Sequence, residues 1–294
     1  MKISEMFSNK KVVYSFEIFP PKAWSDVSKI YTTLDALSGI NPDYISITYS
    51  AGGSKNSHTK EIAEIVRNKY GIEPLAHLTC VNSSKEEVSA VLDGLEAAGV
   101  ENVLALRGDR IEGEVRQDFA YASDLVGFIK SRGASFDIGG ACYPEGHPES
   151  VSIVEDIKHL KYKVDCGVTH LNSQLFFDND DFLRYMDMVR LAGINVPVQA
   201  GVMPLVKESQ FGGIVKMTAA KIPSKIARMY SRFADDPAAL MEAGIAYATD
   251  QIIDLLSAGV DGIHLYIMNN AYVAKRITDN VKPILDKLNR GADE

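Results

Sequence analysis

Four times along this chain a helix-like stretch ends in a small residue and a glycine, and an apolar run follows at once. The four turns are Ala98-Gly99-Val100, Cys166-Gly167-Val168, Ala192-Gly193-Ile194 and Ala258-Gly259-Val260. Glycine there supplies the left-handed cap that ends a helix before an extended segment. β-branched and aromatic runs place strands at 12–16, 44–48, 74–78, 102–106, 136–141, 168–174, 196–202 and 261–266. Between and after them, helical spacing covers 28–37, 59–70, 84–98, 122–131, 152–165, 180–191, 210–220, 237–258 and 278–289. Strict alternation of strand and helix demands a parallel sheet. Eight such units in 294 residues are what a (β/α)8 TIM barrel needs. The expectation is an α/β chain: one barrel domain over 1–294 with a C-terminal helix, uninterrupted by linker or low-complexity sequence.

A chain of this length buries roughly three quarters of its unfolded surface and needs no disulfide or metal for stability. Its three cysteines, Cys80, Cys142 and Cys166, form no Cys-x-x-Cys pair. That excludes a zinc ribbon or iron–sulfur cluster held by this chain alone and fits a reducing compartment. A formal net charge of −8, with no basic stripe, argues against nucleic-acid binding. Residues 1–11 hold no apolar stretch of signal-peptide length, and no apolar run approaches the roughly 18 residues of a membrane span. The expectation is a soluble cytoplasmic protein with no membrane span, no nucleic-acid partner and no metal. Homo-oligomerisation stays open.

In a (β/α)8 barrel the active site lies at the C-terminal ends of the strands. Polar residues gather there: Glu17, Thr48, Tyr49, His77, Arg107, Gly108, Asp109, Tyr143, Gln174 and Tyr266. Glu17 stands at the end of an apolar strand stopped by Pro20-Pro21. Burial disfavours a carboxylate unless it is paired, and a carboxyl that keeps its proton near neutrality suits a general acid. A structural salt bridge is the competing reading of Glu17. Arg107-Gly108-Asp109 puts a phosphate- or carboxylate-forking cation, a glycine open to close ligand approach and an anion directly after a strand. By itself that tripeptide reads equally as a loop ion pair.

Six segments together carry more: Phe16-Glu17-Ile18-Phe19-Pro20-Pro21-Lys22, Ile45-Ser46-Ile47-Thr48-Tyr49, His77-Leu78-Thr79-Cys80, Leu106-Arg107-Gly108-Asp109, Tyr121-Ala122-Ser123-Asp124-Leu125 and Tyr143-Pro144-Glu145-Gly146-His147-Pro148. In this order the chain resembles the methylenetetrahydrofolate reductases, flavin-dependent (β/α)8 enzymes of one-carbon metabolism and methionine biosynthesis. The likeness is to the short bacterial form, without the regulatory domain of eukaryotic relatives. It implies ping-pong reduction of 5,10-methylenetetrahydrofolate to 5-methyltetrahydrofolate through FAD. Glu17 matches the general acid that protonates N10 of the folate. Asp109 matches the aspartate beside the flavin pyrimidine edge and the pterin; Gln174 and Gln210 match substrate contacts. For FAD the matching positions are Thr48, Tyr49, Ala51, His77, Arg107, Gly108, Asp109, Tyr121, Ala122, Tyr143, His147, Asp156 and Lys163. No Gly-x-Gly-x-x-Gly loop occurs, so barrel loops rather than a Rossmann turn would hold the dinucleotide.

The resemblance departs at named places. Ile214 stands where relatives place a phenylalanine that stacks on nicotinamide or folate. Asn270 stands where they place a folate-binding arginine, with Lys207 and Lys275 as the cations able to replace it. His159 and Tyr162 alter the FAD side. The electron donor is therefore expected to be NAD(P)H or an iron–sulfur or flavoprotein partner. Competing readings are a flavin-free, pterin-binding barrel methyltransferase and a non-catalytic scaffold subunit.

Overall fold

The computed structural model of the chain describes residues 1–21, 28–49, 58–109, 118–133, 135–217 and 220–290, without side-chain detail at 28–29 and 214–217. A short helix α1 (Ile3–Asn9) precedes β1 (Val13–Ile18). There follow α2 (Ser28–Ser38), β2 (Tyr44–Ile47), α3 (Thr59–Tyr70), β3 (Glu73–Thr79), α4 (Lys85–Ala97) and β4 (Asn102–Leu106). The second half runs α5 (Ala122–Ser131), β5 (Asp137–Cys142), α6 (Ile153–Asp165), β6 (His170–Ser173), α7 (Asn179–Leu191) and β7 (Val198–Val202). A helix pair, α8 (Glu208–Met217) and α9 (Ser224–Phe233), leads to α10 (Pro237–Ala258), β8 (Gly262–Tyr266) and α11 (Ala271–Arg290). Among the described residues the eight strands pair in sequence order, all parallel, and β8 closes on β1.

Local chemistry explains the element ends. Ser84 caps α4 by accepting from the Glu87 N–H while the Glu87 carboxylate accepts from the Ser84 N–H, a reciprocal capping box. Asp236 caps α10, whose first residue is Pro237. Gly71 and Gly259 end α3 and α10 in the left-handed region, as the glycine turns require. Three features lie outside the sequence expectation. α1 and α9 are additional helices, and α11 starts at Ala271 rather than near residue 278. Asn270 accounts for the earlier start: its Oδ1 accepts from the Val273 N–H at 3.2 Å and caps the helix.

Side chains at alternate strand positions divide two interiors. Tyr14, Phe16 and Ile18 of β1 join the apolar layer between strands and helices, which also takes Ile45, Ile47, Val103, Ala105 and Leu265. Val13, Ser15 and Glu17 face the barrel axis with their counterparts on the other strands. At the strand starts that axis is apolar: Val13, Tyr44, Leu75 and Leu104 cluster with Ile3 and Met6 of α1. A third apolar cluster, Leu175, Phe177, Leu205 and Ile226, seats α8 and α9 beyond the strand ends, with Phe211 stacked on Tyr230.

Candidate functional site

Glu17 occupies the axial position nearest the C-terminal end of β1, and only 7 % of it is exposed. Register puts it level with Ser46 on β2 and Tyr266 on β8. Its nearest described partners are two histidine nitrogens, His77 Nε2 at 3.6 Å and His264 Nε2 at 3.7 Å. Both contacts exceed hydrogen-bond length, so the carboxyl is neighboured without being tied. His77 Nε2 shares a 2.6 Å hydrogen bond with Ser46 Oγ. Burial, only partly opposed by the nearby Glu17 charge, lowers the His77 pKa to about 4. The imidazole is therefore neutral at pH 7 and offers Glu17 no cation.

Beneath Glu17 the axis is polar. His264 Nδ1 and Ser15 Oγ lie 2.7 Å apart, and Gln199 Nε2 donates to Ser15 Oγ at 3.0 Å. The same amide reaches the carbonyls of Val13 and Ile263, while the Tyr44 hydroxyl donates to Gln199 Oε1 and meets Asn172. A Cβ at Gly262 would sit 2.7 Å from Gln199 Cγ and 2.6 Å from the Val13 carbonyl, so only glycine lets Gln199 cross the axis there. None of Ser15, Tyr44, Gln199 or His264 was singled out from sequence as part of the site. The signal was present as polar residues two apart on otherwise apolar strands: Ser15 with Glu17, Tyr44 with Ser46, His264 with Tyr266. Tyr266 donates its hydroxyl proton to the Ser173 carbonyl at 2.7 Å, bracing the strand end that presents Gln174.

Two cavities open on this rim. The smaller, about 180 Å³, is lined by Arg107, Asp109, Tyr143, His147, Glu149 and Gln174, among others. The larger, about 700 Å³, runs between α5 and α6 past Tyr121, Ala122, Asp156, His159, Tyr162 and Lys163. Arg107, Tyr143, His147 and Glu149 belong to both walls. Gly108 has φ +87°, and a Cβ on it would lie 2.9 Å from Val81, so the turn between Arg107 and Asp109 needs glycine.

The structure brings most of the expected residues to these walls. The Lys163 ammonium is buried and donates to the Ala141 carbonyl at 2.5 Å; desolvation lowers its pKa. Asp156 accepts from the His147 N–H at 3.2 Å and the Ser150 hydroxyl at 3.0 Å, fixing the loop after β5. Tyr143 stands edge-on to His147 at 4.7 Å, its pKa pushed up to about 12 by burial. Tyr121 precedes α5 and is exposed at the cavity mouth. Thr48 and Tyr49 follow β2: the Thr48 carbonyl accepts from the Thr59 hydroxyl, and Tyr49 packs on the core. Ala51 lies outside the described residues. Gln174 reaches the rim, its Oε1 accepting from the Leu175 N–H at 2.9 Å. Gln210 does not join it: its amide turns onto its own loop, accepting from the Val206 and Lys207 N–H groups and donating to the Pro204 carbonyl. Lys275 is paired with Asp279, and Ile214 lies on α8.

A family profile described as methylenetetrahydrofolate reductase matches residues 2–282. The chain is 35 % identical to methylenetetrahydrofolate reductase 1 of Schizosaccharomyces pombe across 98 % of its own length and 51 % of that protein's. It is 32 % identical to the 5,10-methylenetetrahydrofolate reductase of Pectobacterium carotovorum, over 93 % of this chain and 92 % of the relative. The Escherichia coli protein of the same description is 34 % identical, over 92 % and 91 %. The chain thus spans about half the length of its eukaryotic relatives and nearly all of its bacterial ones. Among solved structures, a Clostridium thermocellum protein described as binding two copies of 5-methyl-5,6,7,8-tetrahydrofolic acid superposes with a TM-score of 0.66. That likeness covers 97 % of this chain and 99 % of the other at 12 % identity, which shows a shared fold.

Proposed function

Because the chain belongs to the methylenetetrahydrofolate reductase family, we propose that it is a single catalytic barrel reducing 5,10-methylenetetrahydrofolate to 5-methyltetrahydrofolate with FAD. The observation that carries this reading is Glu17. It is a buried carboxyl at the rim of the barrel with no lysine or arginine partner among the described residues, flanked by the neutral His77 imidazole on one side and the His264 ring on the other, and Asp109 and Gln174 line a cavity at the same rim.

The residues fit a flavin dinucleotide on the structure's own terms. Two cavities sharing four wall residues accommodate a long ligand, and both present the Arg107 guanidinium; the larger adds the buried Lys163 ammonium. Arg107, His147 and Lys163 would hold phosphates or ribose; Tyr121, Ala122, Tyr143 and Asp156 would enclose the nucleotide arm. Thr48, Tyr49, Ala51, His77, Gly108 and Asp109 would face the ring. Bound and reduced, FAD supplies the hydride for the methylene carbon of the folate. Glu17 donates its proton to N10, so the five-membered ring opens to the N5 iminium. The Asp109 carboxylate, exposed at the rim, offsets the positive charge of that cation. Gln174 holds the pterin amide edge. Gln210 joins only after releasing its three backbone bonds, which makes it a contact formed on substrate binding.

Electrons come from NAD(P)H or from an iron–sulfur or flavoprotein partner; Asn270, spent on capping α11, supplies no cation to the folate tail. Three cysteines without a disulfide among them suit a cytoplasmic setting. Family membership leaves the flavin-free methyltransferase reading without support. Anaerobic stopped-flow absorbance of the FAD-loaded protein tests the proposal. Methylenetetrahydrofolate should reoxidise the chemically reduced flavin, and a flavin left reduced would refute it. Bleaching by NADH in the first half-reaction would identify the donor; its absence would point to the partner protein.

A further inference from the structure

β1 ends at Ile18, one residue past Glu17. On the β2 side the Ile18 carbonyl still accepts from the Thr48 N–H at 3.1 Å. Pro20 and Pro21 come next and bring no N–H of their own. Between them stands Phe19, and a single side chain takes both of its backbone groups. Asn269 Oδ1 accepts from the Phe19 N–H at 2.8 Å, and Asn269 Nδ2 donates to the Phe19 carbonyl at 2.8 Å. The carboxamide thus extends the β1–β8 ladder, whose last rungs pair Phe16 with Leu265 and Glu17 with Tyr266.

The segment that carries this amide is strained. Met268 and Asn269 have φ of +50° and +56°, and the Asn270 N–H donates to the Ile267 carbonyl across them at 2.8 Å. Asparagine tolerates the left-handed region; methionine enters it at a cost. Such backbone persists only where neighbouring contacts over-determine it, and it gathers at functional sites. One anchor here is the amide pair on Phe19, and the other is Asn270, which caps α11.

We infer that Asn269 is a positioning residue for the Glu17 carboxyl. This rests on the reductase reading above. Its amide is spent on Phe19, so it acts through Glu17 and not on the folate. By holding the end of β1 against β8 it keeps the carboxyl two residues upstream in one place relative to N10. Without it the strand end is free to shift, and a shift of about an ångström takes a proton donor out of transfer reach. The loss then falls on the rate of the folate step and little on folate affinity.

The test is stopped-flow reoxidation of the chemically reduced, FAD-loaded full chain by methylenetetrahydrofolate, in wild type, Asn269→Gly, Glu17→Gln and the double variant. Glycine keeps the left-handed turn and removes the amide, so the bonds to Phe19 are lost without added strain. Asn269→Gly should slow reoxidation at saturating folate roughly 10- to 100-fold, with FAD still bound and the half-saturating folate concentration little changed. In the Glu17→Gln background the same substitution should cost nothing further, because no carboxylic acid remains to be positioned. An undiminished rate for Asn269→Gly, or full additivity of the two losses, would overturn the inference. Should the glycine variant fail to fold, Asn269→Asp keeps the shape and loses the donor to the Phe19 carbonyl; it should be slowed in the same way, and a wild-type rate would overturn the inference. A wild-type flavin that the folate leaves reduced would defeat the reductase reading itself, and this inference with it.

Discussion

At the start of the strands α1 lies across the barrel mouth, and its backbone is bonded into the wall. The Ile3 N–H donates to Asn102 Oδ1 at 2.9 Å, the Ser4 N–H donates to Asp137 Oδ2 at 2.8 Å, and Ile3 is fully buried. At the far end of the same strands Glu17 meets two histidines at 3.6 and 3.7 Å and forms no close bond with either. Each end carries a buried carboxyl near a histidine, since His170 Nδ1 lies 3.7 Å from Asp137 Oδ2. The difference is what else the carboxyl does. Asp137 is committed to holding a backbone in place, so its chemistry is spent on stability. Glu17 makes no hydrogen bond to either histidine and stands at the strand end that bears the polar rim. Burial is common to both carboxyls; a committed backbone partner is what separates them.

The sharpest way to break this comparison is Glu17→Gln. Turnover of methylenetetrahydrofolate should fall roughly 10²–10⁴-fold, the weight of general acid catalysis, while FAD stays bound and the melting temperature holds. Unchanged turnover would put Glu17 on the structural side with Asp137. The mirror experiment is Ile3→Ala at the closed end. Truncating a fully buried isoleucine should cost about 2–5 kcal/mol in urea unfolding and leave kcat/KM alone. A kinetic defect without a stability defect would contradict the division of labour.

Smaller, and common to both ends, is a pH effect. His77 and His170 are each lowered by burial to about 4, below the ordinary histidine value near 6.5. Between those values the unfolded chain binds protons that the folded one does not. Stability should therefore rise with pH across that window, by up to about 1.4 kcal/mol per unit for each histidine, and these two should add nothing below pH 4. Replacing His170 by glutamine should flatten the slope measured by denaturant unfolding at stepped pH. An unaltered slope would mean that His170 is not held neutral.

The alternation of strands and helices, the single barrel and the rim that carries Glu17, Arg107, Asp109 and Gln174 were legible before any coordinates. Glycine caps, capping residues and apolar periods act over a few neighbouring residues, so contiguous sequence encodes them. The helix α9 was not legible, because its burial against Leu175, Leu205 and Phe211 depends on residues beyond its own stretch. Gln210 looked like a ligand contact and is found capping its own loop, since a side-chain amide bonds the nearest free backbone groups unless something displaces it.

What the chain's sequence determines by itself is the list of elements and which end of them bears the chemistry. The tertiary structure decides which side chains meet. Closure of β8 on β1 sets Ser15 opposite His264 and Glu17 opposite Tyr266, nearly 250 residues apart in the chain. The stagger of a closed sheet is a property of all eight strands together, and no local pattern specifies it. Only that stagger makes a polar axis from Tyr44, Gln199, Ser15 and His264 and sets Glu17 at its rim end.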